Sequence, residues 1–436
     1  MDRPSKIFSV RGMRDILPEQ ATHWQELEDI IQDWLHSYGY CNFRVPILER
    51  TQLFCRGIGN ITDIVQKEMY SFTDFLSGDQ LTIRPEITAG LIRASIEHNF
   101  LYKKPRRIYS IGPVFRHERP QSGRYRQFHQ ANVEALGFVG PDIDAELIIM
   151  LSRLWKKLGI NDYLRLELNS LGELNERIAY RDSLIDYLKK NLNLLDEDSK
   201  RRLHSNPLRI LDTKNLEMQD LVKNAPSLFD FFGKESCSYF DNLCKYLEDS
   251  SVNFKINTRL VRGLDYYNLT VFEWIKECSG NSITICGGGR YNGLTELLGG
   301  KSTPAVGFAI GIERLLDLWL KKKFFLNQKD KECDIYIVRY KDFESKRLAL
   351  RIGEELRNAE FSVIVHAGSC EFTKQFRMAD SSGAEIAILI GPNEIAEKIV
   401  LIKYLKKNLP QQKVLLNNLA DFLRSKRNDI FFQNGE

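Results

Sequence analysis

The sequence predicts three parts: an N-terminal α+β domain over residues 1–325, a helical module inserted into it at about 171–250, and a small α/β domain over 332–436. Two strand patterns, 107–116 and 128–136, are joined by a polar loop containing Pro120 and Gly123, and together they read as a long hairpin. The stretch 173–250 is mostly helical in pattern, polar and lysine-rich, with little strand signal. Beyond residue 331 strands and helices alternate with short connections, which is the rhythm of a mostly parallel sheet.

Taken in order, residues 18–39 read as a helix, because Trp24, Leu27, Ile30, Ile31, Trp34 and Leu35 form one apolar stripe and Gly39 is a plausible stop. An extended piece follows at 43–48. Pro46 removes a ladder donor from it, so it is expected at an edge or an interface. Residues 80–85 read as a strand, 88–99 as a helix opening on a threonine cap, Thr88, and 144–158 as an amphipathic helix. After the helical module, strand patterns return at 252–260, 270–274 and 282–286. A Gly-rich turn is then expected at Gly287, Gly288 and Gly289, and 306–320 runs from strand into helix. Residues 321–331 read as a linker. Strands at 334–338, 361–365, 385–390 and 399–404, with helices at 345–358 and 371–381, complete the chain.

The 436 residues, 43% apolar and 28% charged, suit two or three globular domains and exclude disorder, collagen or a disulfide miniprotein. A net charge of +4 does not announce a nucleic-acid binder, but its distribution says more. Residues 321–436 hold 21 basic and 16 acidic side chains, a net of +5, and residues 103–126 hold eight basic side chains against one acid, Glu118. Such patches can steer a polyanion. The eight cysteines show no Cys-x-x-Cys pair, so neither a zinc site nor a disulfide framework is expected. Residues 1–18 lack the apolar core of a secretory signal, and no apolar run approaches the roughly 18 residues that span a bilayer. A soluble, cytoplasmic protein with no membrane contact is expected.

Three segments place charge where a fold does not need it. Phe115-Arg116-His117-Glu118 ends one hairpin strand, and Arg119, Arg124 and Arg126 follow in the loop. Guanidinium forks match phosphate oxygens and stay charged, although a solvated basic hairpin fits the same spacing. Arg262-Gly263-Leu264-Asp265-Tyr266-Tyr267 sets charges beside aromatics, and an internal Arg–Asp pair in a half-buried turn would do so too. Gly307 to Arg314 puts an arginine in the first turns of a helix, where an ordinary surface arginine is the plainer reading. The glycine run matches neither a P-loop nor a dinucleotide fingerprint, and close backbone packing beside a site suits it better.

Together these segments resemble the histidyl-tRNA synthetase family of class II aminoacyl-tRNA synthetases, of the bacterial or organellar type. Pro46 after a long helix resembles motif 1, Phe115-Arg116-His117-Glu118 through Phe128 motif 2, and Gly307 to Arg314 motif 3. Leu260-Val261-Arg262-Gly263-Leu264-Asp265-Tyr266-Tyr267 and Gly287-Gly288-Gly289-Arg290-Tyr291 resemble the two histidine-specific signatures. Arg84-Pro85-Glu86-Ile87-Thr88-Ala89 and Arg124-Tyr125-Arg126-Gln127-Phe128-His129-Gln130 match as well. Ile87, where many relatives have Gly, and Asn292, where Asp is common, are departures.

The resemblance implies an α+β catalytic domain with an antiparallel sheet flanked by helices, a helical insertion, and a C-terminal α/β anticodon-binding domain. It implies a ligase that makes histidyl-adenylate from L-histidine and ATP, then charges tRNA(His). By the same resemblance Arg116 and Arg262 are catalytic, on two sides of the α-phosphate, and both also bind histidine. Glu86, Thr88 and Gln130 would take the α-ammonium, and Glu134, Tyr266 and Tyr267 the imidazole. Arg116, Glu118, Arg124, Phe128 and Arg314 would bind ATP, with adenine between Phe128 and Arg314. Mg²⁺ would ride on the ATP phosphates, no protein metal ligand is assigned, and a homodimer would form through motif 1. Two other readings remain at this point. One is a silent paralogue such as the regulatory subunit of ATP phosphoribosyltransferase, which typically lacks the C-terminal domain and phosphate-binding arginines. The other, a pure RNA-binding protein, leaves Glu86, Gln130, Glu134 and Tyr267 unexplained.

Overall fold

The computed structural model describes residues 5–59, 62–102, 104–119, 123–213, 215–261, 264, 266–278, 281–323, 332–368 and 370–431. The chain divides into two compact units, residues 1–326 and 327–436.

The first unit is organised by an eight-stranded sheet. Its order is Cys41–Asn42, Arg106–Phe115, Gln127–Leu136, Ala305–Gly311, Asn281–Arg290, Asn268–Cys278, Leu164–Ser170 and Phe254–Ile256. The six central strands pair antiparallel, and the short strand at each edge pairs parallel. Strand alternation gives this sheet two unlike faces. On one face Ala131, Val133, Ala135, Val306, Phe308 and Ile310 enter the main core. There they meet the apolar stripes of the helices Pro18–Ser37, Pro141–Lys157 and Ile312–Lys323. The other face carries Phe128, Gln130, Asn132 and Glu134 on the same strand, between the inward-facing odd positions.

Several elements differ from expectation, each for a local reason. Of the extended piece expected at 43–48, only Leu48 lies in a strand, and the rest joins two strands of different sheets. Cys41–Asn42 lies at the edge of the large sheet, Leu48–Arg50 lies at the edge of a separate three-stranded sheet, and Pro46 falls in the break between them. Thr88 begins the helix Thr88–Glu97 but makes no side-chain cap, and the Glu86 carboxylate accepts the Ala89 N–H instead, at 2.9 Å. The glycines 287–289 are not a turn; they lie inside the strand Asn281–Arg290. Only Phe254–Ile256 of the 252–260 pattern is strand. Within the helical stretch, Lys234–Asp249 packs Phe240, Leu243 and Leu247 into the main core beside Pro141–Lys157, so this helix belongs to the body of the unit. The linker expected at 321–331 begins inside the helix Ile312–Lys323, and its remainder lies outside the described residues.

In the second unit the strand order is Val363–Val365, Ile335–Arg339, Ile386–Ile390, Ile399–Tyr404 and Gln412–Leu415. The sheet is mixed rather than mostly parallel, with two parallel and two antiparallel pairs. The link from Ile390 to Ile399 holds only the six-residue helix Pro392–Glu397, too short for a parallel crossover of a dozen or more residues.

Candidate active site

The site is laid out by strand register. Glu134 stands opposite Gly307, Asn132 opposite Ala309 and Gln130 opposite Gly311, and directly opposed residues share a face. Each polar side chain therefore lies beside a residue with one methyl group or none. At Gly307 the requirement is steric, because a Cβ there would sit 1.6 Å from Glu134 Oε2. The Gly287–Gly289 run serves packing as well. A Cβ on Gly288 would meet the Gly307 carbonyl oxygen at 2.3 Å, and one on Gly289 the Thr270 carbonyl oxygen at 2.5 Å.

An inner cavity is lined by Glu86, Thr88, Arg116, Gln130, Glu134, Tyr266 and Tyr267, drawn from four separate stretches of chain. Asn132 and Tyr291 line it too. Thr88 Oγ1 donates to Glu134 Oε1 at 2.7 Å, the Tyr291 hydroxyl donates to Glu134 Oε2, and Asn132 Nδ2 donates to Thr88 Oγ1 at 3.1 Å. Burial pushes the Glu134 carboxyl up to about 8, and these hydrogen bonds oppose the shift only in part. Burial also raises Glu86. Three buried acceptors on the cavity, Glu86 Oε2, Gln130 Oε1 and Asn132 Oδ1, have no hydrogen-bond partner among the described residues. Buried acceptors of this kind fit a ligand rich in N–H donors. The Tyr266, Tyr267 and Tyr291 rings wall the cavity, with centroids 4.7 to 6.3 Å apart.

An outer cavity adjoins it and shares Arg116, Gln130, Gly287 and Ala309. Glu118, Arg124, Phe128 and Arg314 line this second space. Arg116 donates from Nε to the Pro85 carbonyl at 2.8 Å, and its guanidinium lies 5.3 Å from the centre of the Phe128 ring. Arg314, near the start of its helix, donates to the carbonyls of Gly123 at 2.8 Å and Thr284 at 2.7 Å. Burial depresses its pKa. Arg124 is paired with Glu118 at 3.6 Å. Phe128 and Arg314 thus line one cavity, and the cation over the Phe128 ring is Arg116. Arg262 lies outside the described residues.

Two residues of the inner cavity escaped the sequence reading. Asn132 was findable, since Gln130, Asn132 and Glu134 alternate on one strand face. Tyr291 closes the quoted string Gly287 to Tyr291, but the partner of its hydroxyl depends on how the glycine-bearing strand packs. Arg290, in the same string, is structural: it is buried in an ion pair with Asp144 at 2.5 Å. Of the two departures, Ile87 fills a buried apolar position and Asn292 Oδ1 accepts the Ala305 N–H at 3.1 Å.

Residues 12–315 match the family Histidyl-tRNA synthetase, and residues 332–426 match the family Anticodon binding domain. The chain belongs to the histidyl-tRNA synthetase family. It is similar to the histidine–tRNA ligase of Bordetella parapertussis, with 58% identity over 97% of this chain and 98% of that one. The ligase of Aromatoleum aromaticum is 54% identical over 95% and 93% of the two chains. Apo histidyl-tRNA synthetase from S. aureus superposes with a TM-score of 0.79 at 32% identity, covering 96% of this chain and 99% of that one. The enzyme is thus an aminoacyl-tRNA synthetase, a ligase that joins histidine to tRNA using ATP. The match at 332–426 also supplies the domain that a silent paralogue is expected to lack.

Proposed function

We propose that the inner cavity binds histidine, that the outer cavity binds ATP, and that Arg116 at their junction carries the chemistry. The observation that supports this most is the pair of adjoining cavities: one presents unpaired buried acceptors, the other arginines, and Arg116 is common to both. In this reading Glu86, Gln130 and the Thr88 hydroxyl hold the α-ammonium, assisted by Asn132. Glu134, with Tyr266 and Tyr267, pairs with the imidazole nitrogens. An apolar side chain would leave those groups buried and unpaired, which discriminates by about 10⁴-fold.

The histidine carboxylate attacks the α-phosphorus in line and pyrophosphate leaves. No enzyme nucleophile takes part, so the work is positioning and charge neutralisation. Arg116 faces the carboxylate and the α-phosphate, and Arg262 is assigned the opposite side from the family resemblance. Glu118 would accept from the adenine amino group, Phe128 and Arg314 would flank the ring, and Arg124 would reach the outer phosphates. Mg²⁺ would enter with the nucleotide and would offset part of its phosphate charge, with no side chain of this chain assigned to hold it. The terminal ribose hydroxyl of tRNA(His) then attacks the carbonyl carbon of histidyl-adenylate, forming the histidyl ester as the bond to the phosphate breaks, with AMP and the hydroxyl proton released.

The rest of the reading concerns the parts and the assembly. Residues 1–325 form the catalytic domain, with its helical insertion within about 171–250, and 332–436 the anticodon-binding domain. A homodimer is supported by Phe72, Phe75 and Leu76, which leave apolar area exposed on and just after Tyr70–Thr73, the strand at the opposite edge of the three-stranded sheet from Leu48–Arg50. Among the described residues no helix is long and apolar enough to cross a membrane. A cytoplasmic location belongs to the same reading, because tRNA is charged where translation proceeds. Histidine-dependent exchange of labelled pyrophosphate into ATP tests the core of it. Wild-type exchange with histidine alone among the amino acids is expected, and Arg262→Ala is expected to abolish it while the protein stays folded. Near-normal exchange in that variant would refute the role of Arg262.

A further inference from the structure

Arg84 stands two residues before Glu86, is only 5% exposed, and lines neither cavity of the site. Its guanidinium donates to main-chain carbonyls of two separate segments. Nε donates to Pro113 at 2.9 Å, and Nη1 to Val45 at 3.0 Å and Pro46 at 3.4 Å. The main chain of Arg84 joins the same segments, since its N–H donates to the Ile47 carbonyl at 2.9 Å and its carbonyl accepts the Phe115 N–H at 3.0 Å. Residues 45–47, 84–86 and 113–116 therefore meet at one arginine. A Cβ on Gly112 would lie 2.5 Å from Arg84 Nη2, so the guanidinium packs against the strand where Gly112 stands opposite Gln130.

A buried cation is costly, and an apolar core has no need of one. Burial depresses the pKa of Arg84, and the carboxylates of Glu86 and Glu49 oppose the shift only in part. What the arginine supplies is a planar fork whose separate nitrogens reach carbonyls that a single ammonium would not span. Its neighbours show what that fork aligns. Arg116 Nε donates to the Pro85 carbonyl at 2.8 Å, so the residue after Arg84 directs the Arg116 side chain. The Pro85 ring fixes φ, which leaves little freedom between Arg84 and Glu86. Glu86 in turn holds its carboxylate on the Ala89 N–H at 2.9 Å. Any shift of Arg84 is thus passed to one group of each kind, the arginine at the junction of the cavities and the inner carboxylate.

We propose that Arg84 is a positioning residue for adenylate formation: it sets the Pro85 carbonyl that aims Arg116 and the turn that carries Glu86. The proposal rests on the roles given above to Arg116 and Glu86. The test uses the full-length enzyme, with active sites counted by the burst of histidyl-adenylate. Arg84→Lys keeps the charge but loses the fork. Its kcat for histidine-dependent pyrophosphate exchange, per counted site, is expected to fall about 10- to 100-fold, with a rise of a few-fold in the KM for histidine. The KM for ATP is expected to stay within about twofold of wild type. In an Arg116→Ala background the same substitution should leave kcat within about twofold, because the group it positions is gone. Gly112→Ala keeps Arg84 but crowds Nη2, so it should show the same pattern with a smaller loss; it carries the test if Arg84→Lys does not fold. A wild-type kcat per site in the folded variant, or a full multiplicative loss in the double variant, overturns the proposal, since Arg84 would then support the fold alone. Undiminished exchange in Arg116→Ala would instead overturn the role of Arg116 on which it rests.

Discussion

The inner and outer cavities share four residues and treat charge in opposite ways. In the inner one, two carboxylates are taken out of water, hydrogen-bonded to hydroxyls and a main-chain N–H, and raised toward the neutral form. In the outer one, the guanidinium groups of Arg116 and Arg314 are anchored to main-chain carbonyls, which fixes their direction without neutralising them, while Arg124 is paired with Glu118. The contrast separates two jobs. A desolvated, partly unpaired acceptor set rejects a wrong side chain, because the penalty for leaving it unpaired is large. Fixed cations lower the energy of a phosphate whose charge grows during the reaction.

Arg116 belongs to both cavities, so its loss should do the most damage. Arg116→Ala is expected to cut histidine-dependent pyrophosphate exchange by about 10³-fold, and Arg116→Lys to recover only part, since an ammonium lacks the planar fork. Exchange within tenfold of wild type in Arg116→Ala would mean that the junction carries no chemistry. Gly307→Ala should break the inner cavity alone. Its methyl would occupy the space of the Glu134 carboxylate. A loss of roughly 100-fold in kcat/KM for histidine is expected, with a stability cost of about 1–3 kcal/mol from overpacking. The KM for ATP should stay close to wild type; parallel losses for both substrates would erase the distinction.

Glu134→Gln sharpens the comparison through pH. In the folded enzyme this carboxyl titrates near about 8, against roughly 4.3 in an unfolded chain. Between those values the folded state keeps a proton that the unfolded state has released, so the contribution of Glu134 to stability falls as pH rises through that window. The variant has no such proton. Its unfolding free energy, measured by urea without ligands at several pH values, should fall less steeply with pH than that of the wild type. Identical slopes would show that the buried carboxyl is already ionised.

Much of this division was legible in the order of residues. Glu86, Gln130, Glu134, Arg116 and Arg314 stand in short strings whose chemistry is local, and period-two alternation puts Gln130 and Glu134 on one face. What was not legible depends on packing between distant strands. Glycines 287–289 look like a chain reversal, yet their purpose is to let two strands approach a third closely. Thr88 looks like a helix cap, yet its hydroxyl turns to Glu134, 46 residues away. Tyr291 completes that carboxylate's hydrogen bonds from 157 residues away, beyond any local pattern.

The smallest expected effect tests how the outer cavity is held. Glu313 is nearly fully buried, and its carboxylate accepts the main-chain N–H of His129 at 2.9 Å, with His129 Nδ1 at 3.1 Å. It precedes Arg314 in the chain, and His129 follows Phe128. One carboxylate therefore ties the helix that carries Arg314 to the strand that carries Phe128. Glu313→Gln keeps an oxygen for the main-chain N–H but replaces the second acceptor with an N–H₂ group, so the tie loosens without opening a cavity. The KM for ATP is expected to rise a few-fold, in line with the loss of about 1 kcal/mol for one buried hydrogen bond. The KM for histidine should be unchanged, because Glu313 lines only the outer cavity. A variant that shifts both constants together would show that the two cavities are positioned as one rigid piece.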